Sequence, residues 1–167
     1  LVIHSTVMEK AEDHTLYAAW DIKAVTFDGN GGTVVGESSK TVTFNNTYGE
    51  LPTAERTGYT FAGWFSEKED GDEIKPATKV EAASDHTQYA HWTANMYTVT
   101  LNPNGGTVSQ STKTVEFDSS YGALPTPEMT GYTFTGWLNN EGDPVNSKTK
   151  VTTTSDHTLT ARWTANN

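Results

Sequence analysis

The chain contains no cysteine among its 167 residues. Disulfides, thiolate nucleophiles and cysteine-based metal sites are therefore excluded by the sequence alone. Long apolar runs are missing as well, and none approaches the ~20 residues that a membrane-spanning helix needs. We therefore expect no insertion into a membrane.

Basic residues are scarce. Lys and Arg number 11 against 21 Asp and Glu, which gives a net charge of −10 and a pI near 4.8. An acidic surface disfavours contact with nucleic acid and with anionic membranes. The sequence also contains no phosphate-binding loop and no basic stripe. We therefore expect no nucleic-acid partner.

What the sequence does contain is a set of motifs repeated in the same order. Gly58–Trp64 returns at Gly131–Trp137 with one substitution. A block that begins with Asp-His-Thr and ends with Trp occurs three times, at 13–20, 85–92 and 156–163. Repetition of this kind predicts an array of small domains rather than one catalytic body.

The repeats divide the chain into three segments. Residues 1–21 correspond to the C-terminal part of a preceding repeat, and repeat modules follow at 22–93 and 94–167. Modules of this size bury only about 60% of their unfolded surface, so each is marginal but able to fold alone. The short junctions predict a semi-rigid array. We expect residues 1–20 to pack on the next module or on a neighbouring chain.

The local patterns are those of strands, with Thr, Val and aromatic residues in short alternating runs. Asn30–Gly32 and Asn104–Gly106 are typical of turns, because Asn and Gly tolerate positive φ. Asn45–Pro52 and Asp118–Pro125 differ: each opens with a residue that caps helices and ends at Pro, which stops them. One short helix per module is therefore predicted, and the fold class is α+β, mostly β.

Four aromatic positions recur in the two modules, as Tyr59, Phe61, Trp64, Trp92 and as Tyr132, Phe134, Trp137, Trp163. Each such side chain can bury ~150–250 Å², so Tyr59, Phe61, Trp92 and their copies are expected to form small cores. Alternation along the strand predicts that Tyr59 and Phe61 share one face while Trp64 points to the other. Trp64 and Trp137 are therefore the candidates for stacking against a ligand such as a sugar.

The sequence patterns give little support for a catalytic site or a metal site. Asp85 and His86 are adjacent, whereas a triad needs three groups that converge from separated positions, and zinc would need further ligands at suitable spacing. The Asp is better interpreted as part of a turn. Asp28–Gly31 resembles the start of a calcium loop, but its copy at Asn102–Gly105 lacks the carboxylate. We expect no catalytic residue, no cofactor, no metal and no enzymatic activity.

Five segments together resemble the Listeria–Bacteroides repeat, the internalin B-repeat type: Val-Thr-Phe, Asn-Gly-Gly-Thr, Tyr-Gly-x-Leu-Pro-Thr, Gly-Tyr-Thr-Phe-x-Gly-Trp and His-Thr-x-Tyr-Ala-x-Trp. The resemblance covers both modules and the N-terminal segment. It implies tandem β-grasp-like modules with an antiparallel or mixed sheet, outside the cell on the surface or wall of a bacterium. Thr160 departs from the motif, where Tyr89 stands in the first module.

The functional prediction is a non-enzymatic tandem repeat of a cell-surface protein, acting as a semi-rigid spacer or stalk with weak adhesion. The alternative is an adhesin module that itself recognises a host surface protein or a glycan. Exposed edge strands would admit a partner peptide or self-association. A large contiguous apolar patch on each module would favour the alternative.

Overall fold

The computed structural model describes residues 21–167. The predictions that concern residues 1–20, namely their origin in a preceding repeat and their packing, lie outside the described residues. In the described part, the strands form two five-stranded sheets and a small two-stranded sheet. One five-stranded sheet belongs to each repeat.

Module 1 is defined by seven strands: β1 Ile22–Asp28, β2 Thr33–Val35, β3 Ser39–Thr43, β4 Thr53–Glu55, β5 Tyr59–Phe65, β6 Glu73–Ile74 and β7 His86–Ala94. Module 2 is defined by five: β8 Met96–Asn102, β9 Thr112–Glu116, β10 Tyr132–Leu138, β11 Pro144–Val145 and β12 His157–Ala165.

The two main sheets share one topology. Their strand orders are β3-β1-β7-β5-β6 and β9-β8-β12-β10-β11. The first and last long strands of each module, β1 with β7 and β8 with β12, are parallel neighbours, and the other pairs are antiparallel. In module 1, β2 and β4 pair separately. Each module therefore begins and ends on adjacent strands of its own sheet.

The predicted α+β class, with one short helix in each module, is wrong. Residues 21–167 contain no helix, and the modules are all-β. Asn45 and Asp118 adopt left-handed backbone conformations, with φ of 64° and 61°. The backbone N–H groups of this segment donate to a loop that is distant in the sequence: Asn45 N donates to Val80 O, and Tyr48 N donates to Thr78 O. Asn and Asp tolerate this conformation, so the residues expected to cap a helix turn the chain toward that loop.

Each module has its own hydrophobic core. Val25 and Phe27 alternate with exposed residues along β1 and point inward, as do Val99 and Leu101 along β8. Burial of one such side chain stabilises the fold by about 1.5–3 kcal/mol. Two separate cores of this kind mean that each module has its own source of stability.

A β-bulge in β5 changes which side chains face the core. The pairing with β7 shifts register between Phe61 and Gly63, and Gly63 has φ of 135°. The prediction that Trp64 points away from Phe61 is therefore wrong, because the extra residue resets the alternation. The two rings contact each other with centroids 5.4 Å apart.

Candidate functional site

The two tryptophans predicted as stacking candidates lie inside the modules. Trp64 and Trp137 are each 2% exposed. Trp64 Nε1 donates to Pro52 O at 2.7 Å, and Trp137 Nε1 donates to Pro125 O at 3.0 Å. Stacking on a sugar needs an accessible ring face, and neither indole offers one in this structure.

The aromatic residues predicted for the core occupy several environments. Phe61 and Trp92 are half-buried and pack against the core of module 1, and their copies Phe134 and Trp163 do the same in module 2. Trp92 Nε1 and Trp163 Nε1 donate to the carbonyl oxygens of turns, Gly29 O and Pro103 O, both at 3.0 Å. Tyr59 is half-buried, whereas its copy Tyr132 is 46% exposed. The two differ because Tyr59 packs against Phe117 of module 2, whereas Tyr132 lies at the far end of module 2.

Asp85 and His86 connect the start of β7 to neighbouring segments through hydrogen bonds. Asp85 Oδ1 accepts a hydrogen bond from Ala24 N of β1 at 2.8 Å. His86 Nδ1 lies 3.0 Å from Ser84 O, and a carbonyl only accepts, so Nδ1 carries the proton. His86 Nε2 then accepts from the Tyr48 hydroxyl at 2.8 Å. Burial raises the pKa of Tyr48. These bonds hold the start of β7 against β1 and against the segment that contains Tyr48.

Two further features, a metal site and a membrane-spanning helix, have no candidate in the part of the chain that the structure describes. No group of three or more His, Asp or Glu side chains there could hold a metal ion. Across residues 21–167, no helix has the length and apolar character to cross a membrane.

The contact between the modules is organised by a single residue, Asn95, which lies between β7 and β8. Its backbone N donates to Gly58 O in module 1 at 2.9 Å, and its backbone O accepts from Phe117 N in module 2 at 2.9 Å. Its side-chain oxygen accepts from Thr60 Oγ1 at 2.6 Å. One linker residue is thus bonded to both modules, which fixes the chain path between them.

An aromatic contact covers this linker. The rings of Tyr59 and Phe117 meet edge to face, with centroids 5.5 Å apart and an interplanar angle of 81°. Phe117 also lies against Gly58, where a Cβ would overlap the phenyl ring. The Arg56 guanidinium carbon stands 3.9 Å from the centroid of the Tyr59 ring. Edge-to-face aromatic pairs contribute about 0.5–1.5 kcal/mol beyond the area that they bury.

A polar rim surrounds the aromatic contact. Tyr59 OH donates to Asp118 Oδ2 at 3.4 Å, and Lys150 Nζ donates to Asp118 Oδ1 at 2.7 Å. The hydrogen bond and charge of Lys150 lower the pKa of Asp118, and the same contact raises the pKa of Lys150. These groups are exposed, so the rim orients the two modules more than it stabilises their contact. We call Asn95, Gly58, Tyr59, Phe117 and Asp118 the joint.

Sequence reasoning identified Tyr59 only as a core residue and did not identify Phe117 or Asn95 as parts of a contact. One signal pointed to the joint: Trp-Thr-Ala-Asn occurs at 92–95 and at 163–166, and in both modules its first three residues end the last strand and its Asn follows it. A linker that repeats residue for residue suggests specific bonding, since a passive linker needs only length and flexibility.

Comparison with known proteins agrees with this architecture. The family model of the Listeria-Bacteroides repeat domain matches the chain twice, over residues 24–91 and 97–162. The chain belongs to the Listeria-Bacteroides repeat family. The two matched segments fall one in each module, and the joint residue Asn95 lies between them.

Curated relatives of this repeat chain are longer proteins. It is 35% identical over 137 residues to a Gly-rich membrane protein of Evansella cellulosilytica, covering 77% of the chain and 15% of the relative. It is 31% identical over 166 residues to a membrane protein of the same organism, covering 93% and 23%. It is 36% identical over 103 residues to Internalin H of Listeria monocytogenes, covering 62% and 18%. The chain therefore spans less than a quarter of the length of each.

Proposed function

We propose that this chain is a semi-rigid spacer within a bacterial cell-surface protein, holding other parts of that protein at a distance from the cell. Membership of the repeat family and similarity to Internalin H and to two membrane proteins support a surface location. The proposal assigns no reaction to the chain. Its task is mechanical, and it depends on how firmly neighbouring modules are held.

The observation that carries the proposal is the joint. A flexible linker would leave the modules to rotate freely, whereas Asn95 is hydrogen-bonded to Gly58 on one side and to Phe117 on the other. The contact of the Phe117 ring with the Tyr59 ring adds a non-covalent attachment beside the linker. A hydrogen-bonded linker together with a side-chain contact beside it restricts bending and twisting, which is what a spacer needs in order to keep its length.

The experiment measures the distance between the modules by pulsed electron spin resonance. The chain has no cysteine, so Glu81→Cys and Thr152→Cys can be labelled selectively. Both positions are exposed, and they follow the equivalent buried residues Val80 and Val151. A spacer with a fixed joint gives a single narrow distance distribution. Phe117→Ala should broaden it, because the aromatic attachment is lost.

Tyr132→Ala serves as the matched control, since it removes the equivalent of Tyr59 from the far end of module 2. It should leave the distribution between the two labels unchanged. A broad distribution in the unsubstituted chain would refute the spacer proposal. Saturable binding of such a flexible chain to host cells or glycans would favour the adhesin alternative instead.

A further inference from the structure

The far end of module 2 reproduces the module 1 side of the joint. Asn166 N donates to Gly131 O at 2.9 Å, as Asn95 N does to Gly58 O. Thr133 Oγ1 donates to Asn166 Oδ1 at 2.7 Å, the bond that Thr60 makes with Asn95 at 2.6 Å. We call Gly131, Tyr132, Thr133 and Asn166 the socket. Its linker residue is therefore already held in the conformation that the joint uses.

The socket differs from the joint in being uncovered. Tyr132 is 46% exposed, whereas Tyr59 is half-buried under Phe117. Among the described residues other than its two chain neighbours, none has an atom within 4 Å of a Cβ placed on Gly131, although its φ of 80° matches the 79° of Gly58. The groove beside Tyr132 measures about 880 Å³, against about 360 Å³ for the equivalent groove beside Tyr59, where Phe117 and Asp118 form part of the wall.

The complementary half is also present twice in the chain. Phe44 and Asn45 follow β3 as Phe117 and Asp118 follow β9, with left-handed backbone at Asn45 and at Asp118. Phe44 N donates to Asp21 O at 2.9 Å, matching the bond from Phe117 N to Asn95 O. We call this aromatic residue and its successor the plug. Each module thus carries a plug where the chain enters it and a socket where the chain leaves it.

We propose that the socket of module 2 is a docking site for a further module of this same repeat, joined in tandem, whose plug phenyl ring packs on Gly131 and Tyr132. The inference rests on the proposed spacer function and extends it to a specific partner and surface. Continuity with the joint supports this occupant, because the same surface in module 1 is covered by the next module. Met129 occupies the position in module 2 that Arg56 occupies in module 1. The second joint would therefore form its aromatic contact without a guanidinium group over the Tyr132 ring.

The docking is expected only between modules that are covalently linked. One phenyl ring and a few hydrogen bonds form a contact far smaller than the roughly 1,200–2,000 Å² of stable complexes between separate proteins. A short linker raises the effective concentration of the second partner into the millimolar range. A contact whose Kd lies below that concentration is then formed most of the time.

The test extends the chain by one module. A copy of residues 96–167 is attached directly after Asn166, which reproduces the Asn95–Met96 junction. Thr152→Cys in module 2 and in the added copy report on the new joint, and Glu81→Cys with Thr152→Cys reports on the existing one in a separate sample. Docking predicts the same most probable distance and a comparable width for both pairs.

Two variants distinguish specific packing on the socket from the closeness that any short linker imposes. Tyr132→Ala and Gly131→Ala should each broaden the distribution across the new joint and leave that across the existing joint unchanged. Tyr132→Ala removes an exposed side chain, and a melting curve of the two-module chain checks that module 2 still folds. A narrow existing joint with a broad new one would overturn the docking inference while the spacer proposal stands, and it would leave the groove to another partner. Broad distributions at both would overturn both.

Discussion

The phenyl ring of Phe117 lies on the backbone of Gly58, in the space that a side chain at residue 58 would need. Gly131 has the same backbone conformation, with φ of 80° against 79° for Gly58, and among the described residues it has no neighbour at the corresponding position. The two glycines therefore form a natural pair for comparison. They share one backbone requirement and differ in whether a phenyl ring lies against them.

We expect Gly58→Ala to destabilise the chain more than Gly131→Ala does. Both substitutions introduce left-handed strain of about 1–2 kcal/mol, and only Gly58→Ala also overlaps Phe117, which should add about 1–3 kcal/mol. Urea unfolding followed by backbone NMR signals assigned to each module measures the difference. Equal losses for the two variants would mean that Phe117 does not rest on Gly58 in solution.

Gln88→Leu should stabilise module 1 by about 1 kcal/mol. Gln88 is 2% exposed, and its Oε1 has no hydrogen-bond partner among the described residues. An unsatisfied buried oxygen costs about 1–3 kcal/mol, which outweighs the net value of the bond that Gln88 Nε2 donates to Tyr48. Leu159 occupies the same position in module 2, fully buried. The reverse change, Leu159→Gln, should lower the melting temperature of module 2; an increase would contradict the argument.

Trp64→Ala and Trp137→Ala should each cost about 3–5 kcal/mol, because a large buried ring is replaced by a cavity. Losses of this size are enough to unfold a small module. Calorimetry should therefore show one transition lost or strongly lowered and the other retained. Tyr132→Ala is the exposed aromatic control and should change the transition of module 2 little. Unchanged melting of Trp64→Ala would place that ring at the surface.

Alkaline pH should destabilise module 1 through Tyr48. Burial raises its pKa above the usual 10.0, although the bond from Gln88 opposes the shift. The unfolded chain therefore loses the phenolic proton first, and stability falls as the pH rises through 10 toward the pKa of the folded state. The slope of unfolding free energy between about pH 9 and 11 should be smaller for Tyr48→Phe. Equal slopes would show that Tyr48 ionises as freely in the folded state.

The sequence predicted the strands more successfully than it predicted the connections between them. The runs Ala24–Phe27 and Tyr97–Leu101 predict two strands, and β1 and β8 contain those residues. This works because burial of one strand face is a local pattern. The helices predicted at Asn45–Pro52 and Asp118–Pro125 are wrong, because the hydrogen-bond partners of these segments, such as Val80 O and Thr78 O for the first, are distant in the sequence.

The joint could not be derived from one module. The sequence predicts Tyr59 at the start of one strand and Phe117 at the end of another strand in the next repeat. Only the folded chain brings the two modules together at Asn95. Similarly, the β-bulge after Phe61 leaves no clear mark on the alternation, so the inward orientation of Trp64 needed the structure.

The parallel pairing of β1 with β7 has a consequence for a chain under tension. Val25 lies opposite His86 and Asp28 opposite Tyr89, so the chain enters module 1 at one end of this pair and leaves at the other. A pull on the two ends of the module therefore slides the strands past each other. The backbone hydrogen bonds between the two strands are loaded in shear and must break together. In a hairpin that is pulled open, they break one after another. The proposed spacer would then resist lengthening under fluid drag on the cell.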